Sequence, residues 1–225
     1  METQGDVLKH EYHLRFSKIA PYRNQLWRIL CDRYFSAFIS PDMTVLDLGS
    51  GWAEFINNIQ AARKFAMDLN PEAGQRLTGD TRFLNQDCSR TWPLPDESLD
   101  VVFTSNFLEH LPDKAHVERA IAEAHRCLKP GGLIICLGPN IKYIPGAYWD
   151  FCDHFCPLTE LSVAEMLQMR GFGIRRRLAR FLPYSMSMGW TPPLFLAKWY
   201  LRLPLVWPIF GKQFLVIGEK QPKGA

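Results

Sequence analysis

The stretch VLDLGSGWAEF, residues 45–55, decides the fold. Val45 to Leu48 is a short apolar run interrupted by a single acid, Asp47, as in a strand buried on both faces of a parallel sheet. It passes directly into Gly49-Ser50-Gly51, where glycine lets the backbone turn tightly and approach a bound molecule that any Cβ would strike. Trp52 to Ala62 then has helical spacing, so unpaired N–H groups face the turn. Taken alone, such a corner reads equally well as a plain strand-to-helix turn and as a ligand cradle.

Working outward, the alternation repeats. Upstream, Leu26, Leu30, Tyr34 and Phe38 recur every four residues, predicting a helix over 22–38 that Ser40-Pro41-Asp42 ends. Downstream, strand-like runs fall at 65–67, 82–84, 101–104 and 133–137. A helix over 113–128 carries Val117, Ile121, Ala124 and Leu128 on one face, and Lys129-Pro130-Gly131-Gly132 stops it. A further helix is predicted over 159–169, followed by strands over 174–181 and 214–219. This is the rhythm of an α/β fold, a doubly wound parallel sheet with right-handed crossovers. A single domain is expected over 1–225: an N-terminal helical lid (1–43), a core sheet (44–182 and 212–220) and an apolar, basic insert (183–211). Tyr12, Arg15, Phe16 and Tyr22 are candidates for closing the lid, with ordinary packing as the alternative.

Composition supports a packed core: of 225 residues 47% are hydrophobic and 22% charged, which excludes disorder and a coiled coil. The net charge of +3 conceals a split, because beyond residue 160 ten basic residues face only Glu165 and Glu219. Such asymmetry points to an anionic partner near the tail. The six cysteines are scattered without a framework spacing, predicting reduced thiols. The polar start METQGDVLKHEYHLRF has no apolar leader, and Lys198, Arg202 and prolines interrupt the apolar tail. A cytoplasmic protein, able to rest on the inner membrane surface, is expected.

The residues after the glycine turn narrow the chemistry. The second strand ends in AMDLN (66–70), where Asp68 stands at the right place to accept both hydroxyls of a ribose. The third ends in NQDC (85–88), and the fourth runs through LDVVFTSNFLEHL (99–111). With LKPGGLIICLGPN (128–140), these motifs in this order resemble the class I S-adenosylmethionine-dependent methyltransferases, most closely small-molecule enzymes related to the ubiquinone-biosynthesis group. The resemblance implies a seven-stranded Rossmann-like sheet whose last strand, 214–219, is antiparallel, and S-adenosylmethionine as cofactor. It also implies that Asp47, Gly49, Ser50 and Gly51 hold the methionine end, Asp68 and Leu69 the ribose, and Asp87 and Cys88 the adenine, with Asn106 and Thr104 beside the sulfonium. One departure is Ala53, where the family often has a third glycine. An NAD-dependent oxidoreductase is the rival reading, weakened by Glu54, whose charge opposes a pyrophosphate.

On the acceptor side the catalytic candidates are His110, Asp153 and His154. His110 follows the fourth strand and titrates in the useful range; shaping of the loop before Pro112 is its alternative role. Asp153 and His154 lie in YWDFCDHFC (148–156), where capping and packing before the next helix compete with acceptor binding. Cys152, His154 and Cys156 lack a fourth ligand, so no metal is expected. His10, His13, His116 and His125 show no partner pattern. The insert 183–211, rich in Trp190, Trp199, Tyr200 and Trp207, suits an anionic membrane surface aided by Arg175, Arg176 and Arg177. A homodimer contact or a wall of the acceptor pocket are the alternatives, and basic residues set among aliphatic bulk argue against nucleic acid. The expected function is methyl transfer to a small-molecule, glycan or lipid-linked acceptor; a non-catalytic cofactor-binding scaffold is the alternative.

Overall fold

The structure, a computed structural model, describes residues 10, 13–15, 17–184 and 191–222. Internal contacts divide the chain into two compact units, Met1–Asp87 with Ser185–Pro204, and Cys88–Tyr184 with Leu205–Ala225. The insert foreseen over 183–211 is thus shared between them.

In the first unit, β1 (Thr44–Leu48) is buried at all five positions and pairs in parallel with β2 (Arg63–Met67), which pairs in parallel with β3 (Arg82–Leu84). Helix α1 (Ala20–Arg33) begins with Pro21 in its first turn and buries Trp27, Ile29, Leu30 and Cys31. It stops short of the predicted Phe38: the chain tightens into a single 3-10 turn, Phe35–Ala37, which brings Phe35 against Trp27 and Phe55 with ring centroids 6.3 and 6.0 Å apart. Two short helices follow the strands, α2 (Glu54–Asn58) and α3 (Glu72–Gln75). The helix expected over 52–62 therefore shrinks to five residues, because Gly51 and Ala53 take left-handed conformations and Ile59 returns to extended backbone.

In the second unit, β4 (Leu99–Ser105) pairs in parallel with β5 (Leu128–Pro139). Between them α4 (Lys114–Cys127) is capped by the Asp113 carboxylate, which accepts from the His116 N–H at 2.8 Å, and buries Val117, Ala120, Ile121, Ala124 and Cys127. Helix α5 (Glu160–Met169) opens on a reciprocal Thr159–Ser162 capping box. It leads to β6 (Phe172–Leu182). The insert contributes α6 (Leu194–Arg202) to the first unit and α7 (Trp207–Phe210) to the second, before β7 (Gln213–Lys220).

The strand order is β3-β2-β1-β4-β5-β7-β6, and β7 runs antiparallel to both β5 and β6. This is the Rossmann-like methyltransferase sheet that the motifs implied. Among the described residues no helix is long and apolar enough to cross a membrane.

Candidate functional site

Parallel pairing puts the carboxyl ends of β1, β2 and β3 on one edge of the first unit, and the chain there is built around two glycines and two acids. Gly49 (φ 72°) and Gly51 (φ 52°) occupy the left-handed region, which is why glycine stands at both. The turn is tied to β2 by Gly49 and Ser50 N–H groups donating to the Met67 carbonyl at 2.9 and 3.2 Å. Ala53 also adopts φ 61°, so the position at which the family often has glycine keeps a glycine-like backbone under an alanine side chain.

Asp68 clasps this loop. One carboxylate oxygen accepts from the Gly51 N–H and the other from the Asn70 N–H, each at 2.8 Å. An ionised carboxylate has about four lone-pair directions, so these two bonds do not exhaust its chemistry as an acceptor. Asp47 is 3% exposed. Burial holds its carboxyl well above the usual carboxylate range, the Asp68 and Glu54 charges push it further, and the Ile56 N–H pulls it partly back. Glu54 is itself buried and paired with Arg23, whose Nε and a terminal nitrogen donate to its two oxygens at 2.7 and 3.3 Å. Its charge is therefore compensated, which removes the sequence argument that Glu54 repels a pyrophosphate. What disfavours a pyrophosphate instead is the five-residue length of α2, too short for a substantial dipole, beside the half-buried Asp68.

The fit to an adenosyl cation is tested by polar atoms that the protein leaves unsatisfied. Ser50 Oγ and Asn70 Nδ2 are buried without a partner in the first unit, and Thr104 Oγ1 and Asn106 Oδ1 in the second. Native proteins leave few such atoms, and these follow β1, β2 or end β4. Asn106 moreover holds φ 48°, an uncommon conformation that Asn tolerates better than most residues. Within the first unit, a polar, hydroxyl-bearing ligand beside Asp68 matches Ser50 and Asn70. Leu69 is exposed, Asp87 half-buried at the end of the first unit, and Cys88 buried, its carbonyl accepting from the Trp92 indole at 2.8 Å.

The acceptor-side candidates come together within the second unit. Nδ1 of His110 lies 3.0 Å from both the backbone carbonyl and the Oδ2 of Asp153. His154 is buried, its Nδ1 2.8 Å from the Tyr148 carbonyl, and its ring centroid is 4.9 Å from that of His110. Burial works to lower the His110 pKa, but the Asp153 hydrogen bond and the Glu109 charge raise it overall. Glu109, which spacing alone did not single out, is 2% exposed, and burial pushes it up to about 7 despite the neighbouring His110. Its backbone carbonyl accepts from Phe155 and Cys156, joining the loop after β4 to 148–156. The Tyr148 hydroxyl donates to the Cys156 carbonyl, and the Cys156 thiol lies 3.2 Å from the Leu111 carbonyl.

Several other expectations find their place. Tyr12, Phe16 and Trp190 lie outside the described residues. Tyr22 donates its hydroxyl to the Pro192 carbonyl at 2.7 Å, so it anchors the insert. Two of the histidines without a partner pattern have partners: His13 Nε2 lies 3.0 Å from Glu72, and His116 Nδ1 lies 2.7 Å from Asp113.

Comparison with known proteins shows where the likeness lies. Residues 46–136 match the family model described as "Methyltransferase domain". A curated relative in Mycolicibacterium smegmatis named "Probable S-adenosylmethionine-dependent methyltransferase" is 35% identical over 91 residues, covering 40% of this chain and 34% of its own. The "Ubiquinone/menaquinone biosynthesis C-methyltransferase UbiE" of Methylobacterium nodulans is 36% identical over 74 residues, covering 33% of this chain and 28% of its own. The chain thus spans about a third of the length of these relatives. A solved S-adenosylmethionine-dependent methyltransferase from Archaeoglobus fulgidus superposes with a TM-score of 0.68 at 20% identity, covering 91% of this chain and 99% of its own, a likeness of fold. Residues 46–136 are thus similar to a methyltransferase domain, and the fold is shared with S-adenosylmethionine-dependent methyltransferases.

Proposed function

We propose that this protein transfers a methyl group from S-adenosylmethionine to a small-molecule acceptor, with a glycan or lipid-linked compound as the particular class. The observation that carries the reading is the clasp of Asp68 on Gly51 at the carboxyl edge of β1 and β2. There the backbone can approach a ligand, and a carboxylate is the group that accepts from ribose hydroxyls. Asp47, Gly49, Ser50 and Gly51 would hold the methionine end, Asp68 and Leu69 the ribose, Asp87 and Cys88 the adenine, and Asn106 the region of the sulfonium. Bound there, the cofactor supplies an electrophilic methyl on a sulfonium. The protein's own tasks are then to orient the acceptor, to manage its proton and to exclude water. His110, Asp153 and His154 are the side chains assigned to them. Asp153 fixes the orientation of the His110 ring, and the Tyr148 carbonyl fixes that of His154.

The test follows label from methyl-labelled S-adenosylmethionine into extracted lipids, glycans and quinones. His110→Asn should abolish transfer while leaving calorimetric affinity for S-adenosylhomocysteine unchanged. Tight cofactor binding with no transfer to any fraction would favour the scaffold reading instead.

A second surface bears on the acceptor class. On α6, Phe195, Leu196, Trp199 and Leu203 are exposed and interleaved with exposed Lys198 and Arg202, a combination suited to an anionic membrane–water boundary. We read this helix as a membrane-contacting element that brings the enzyme to a lipid-linked acceptor. Co-sedimentation with anionic vesicles at low salt should occur and should weaken when Trp199 and Phe195 are replaced by serine. A dimer in solution that does not bind vesicles would overturn it.

A further inference from the structure

We propose that Glu109, His110 and His154 form a divalent-metal site on the acceptor side, taking a transition ion such as Zn2+ or Co2+. One ligand atom from each of these residues lies within 4.8 Å of the others, so an ion can be reached by all three after small side-chain adjustments. The set of two imidazoles and one carboxylate is a three-ligand set that leaves positions open for water or substrate.

The surroundings are those of a metal site rather than of a packed core. In the usual arrangement a ligating histidine donates its second ring N–H to an oxygen, which fixes the tautomer and aims the other nitrogen at the ion. Both histidines have that oxygen. His110 Nδ1 faces the Asp153 carboxylate and carbonyl at 3.0 Å, and His154 Nδ1 faces the Tyr148 carbonyl at 2.8 Å. With Nδ1 protonated, Nε2 carries the lone pair on each ring. Glu109 brings a carboxylate that is 2% exposed and lies with the two imidazoles in the same small space, the donor set a divalent ion would take.

The frame is also held in place. Phe155 and Cys156 donate to the Glu109 carbonyl at 2.9 and 3.0 Å, so the loop carrying Glu109 and His110 moves with the one carrying His154. This accounts for a motif that the sequence reading set aside. Cys152 is exposed, and the Cys156 thiol is directed at the Leu111 carbonyl. Glu109 and His110, from the loop after β4, are the metal-ligating residue types gathered with His154. The open positions would take an oxygen of the acceptor, which the ion would orient and make more acidic; this last clause rests on the methyl-transfer reading above.

The experiment uses tag-free full-length protein stripped with a chelator. Titration with Co2+ should give one equivalent of binding and a visible d–d absorption that Zn2+ abolishes by competition. Glu109→Gln and His154→Asn should each weaken Co2+ binding at least tenfold. Asp153→Asn, which alters only the residue behind His110, should weaken it about 10–100-fold. Thermal unfolding in the absence of metal checks that each variant is folded. Absence of stoichiometric binding, or unchanged binding in the folded Asp153 and His154 variants, overturns the site. S-adenosylhomocysteine affinity, measured on the same metal-free samples, reports separately on the methyl-transfer reading: its loss would strike that reading and leave the metal result standing.

Discussion

Replacing Asp68 with alanine separates a cofactor ligand from a mere loop fastener. In the structure its two oxygens accept the Gly51 and Asn70 N–H groups at 2.8 Å, and Gly51 is buried. A hydrogen bond to a charged acceptor contributes about 1.5–3 kcal/mol net, and the half-buried setting favours the lower end. Losing both should destabilise the free protein by about 3 kcal/mol, or roughly 6–12 °C in Tm for a chain of this size. Two ribose hydroxyls donating to the carboxylate would represent another ~3 kcal/mol of binding, so affinity should fall about 150-fold. Asp68→Asn keeps one acceptor oxygen and should lose about half the stability, yet its NH2 cannot accept, so affinity should still drop at least tenfold. Calorimetric titration with S-adenosylhomocysteine and thermal unfolding followed by circular dichroism read the two effects independently. If the alanine variant unfolds at a lower temperature but binds within threefold of the parent, Asp68 fastens the loop and nothing more, and the ribose assignment fails.

Three further outcomes follow from the same geometry. Asp47 has a folded-state pKa raised above its unfolded value, so its contribution to stability is fully present below the ordinary Asp range and is lost as pH rises through the folded value; Asp47→Asn should therefore flatten the decline in Tm of the ligand-free protein with rising pH, and an unchanged Tm–pH slope would refute the burial argument. Ala53→Gly relieves a left-handed alanine, about 1–2 kcal/mol, against a glycine entropy cost of about 0.5–1 kcal/mol, so denaturant titration should show a gain of up to about 1 kcal/mol and no loss. Arg126 donates to Glu123, Asp96 and the Trp92 and Leu94 carbonyls at 2.6–3.1 Å, so Arg126→Met should cost about 2–3 kcal/mol in chemical denaturation while leaving S-adenosylhomocysteine affinity intact.

The division between what was legible in the chain and what was not follows the range of the interactions. The strands announced themselves because β1 and the core of β5 are buried on both faces, and sustained apolar runs have few other uses. The end of α4 falls at Cys127, within a residue of the predicted one, but Lys129-Pro130-Gly131-Gly132 lies inside β5, where Gly131 takes φ 79°, and not in a turn that stops the helix. The cofactor corner was readable because Gly49, Gly51 and Asp68 act through backbone conformation and one clasp, both properties of residue type at a fixed spacing. The predicted ends of α1 and α2 failed where a local pattern was overruled. Phe35 leaves the helical path to meet Trp27 and Phe55, and the left-handed Ala53 delays the start of α2. The Phe35–Phe55 contact joins residues twenty apart, and a left-handed alanine carries no signature in residue type.

The acceptor side was harder to read because its partners are remote in sequence. His110 drew attention as an imidazole at a strand end, but its neighbour Glu109 carries the more consequential surprise, a carboxylate buried to 2%. In sequence, Glu109 has the pattern of an ordinary loop acid. Only the donation of Phe155 and Cys156 to its carbonyl reveals that the second loop closes over it and brings His154 within reach. Burying Glu109 and His154 beside the half-buried His110 is costly unless the groups are paired or bind something. On the proposed reading the glycine corner sets the class of reaction, and the Glu109, His110 and His154 cluster is where selection of the acceptor would be sought, since a sulfonium methyl reacts with oxygen, nitrogen or carbon according to which nucleophile is held in line and relieved of its proton.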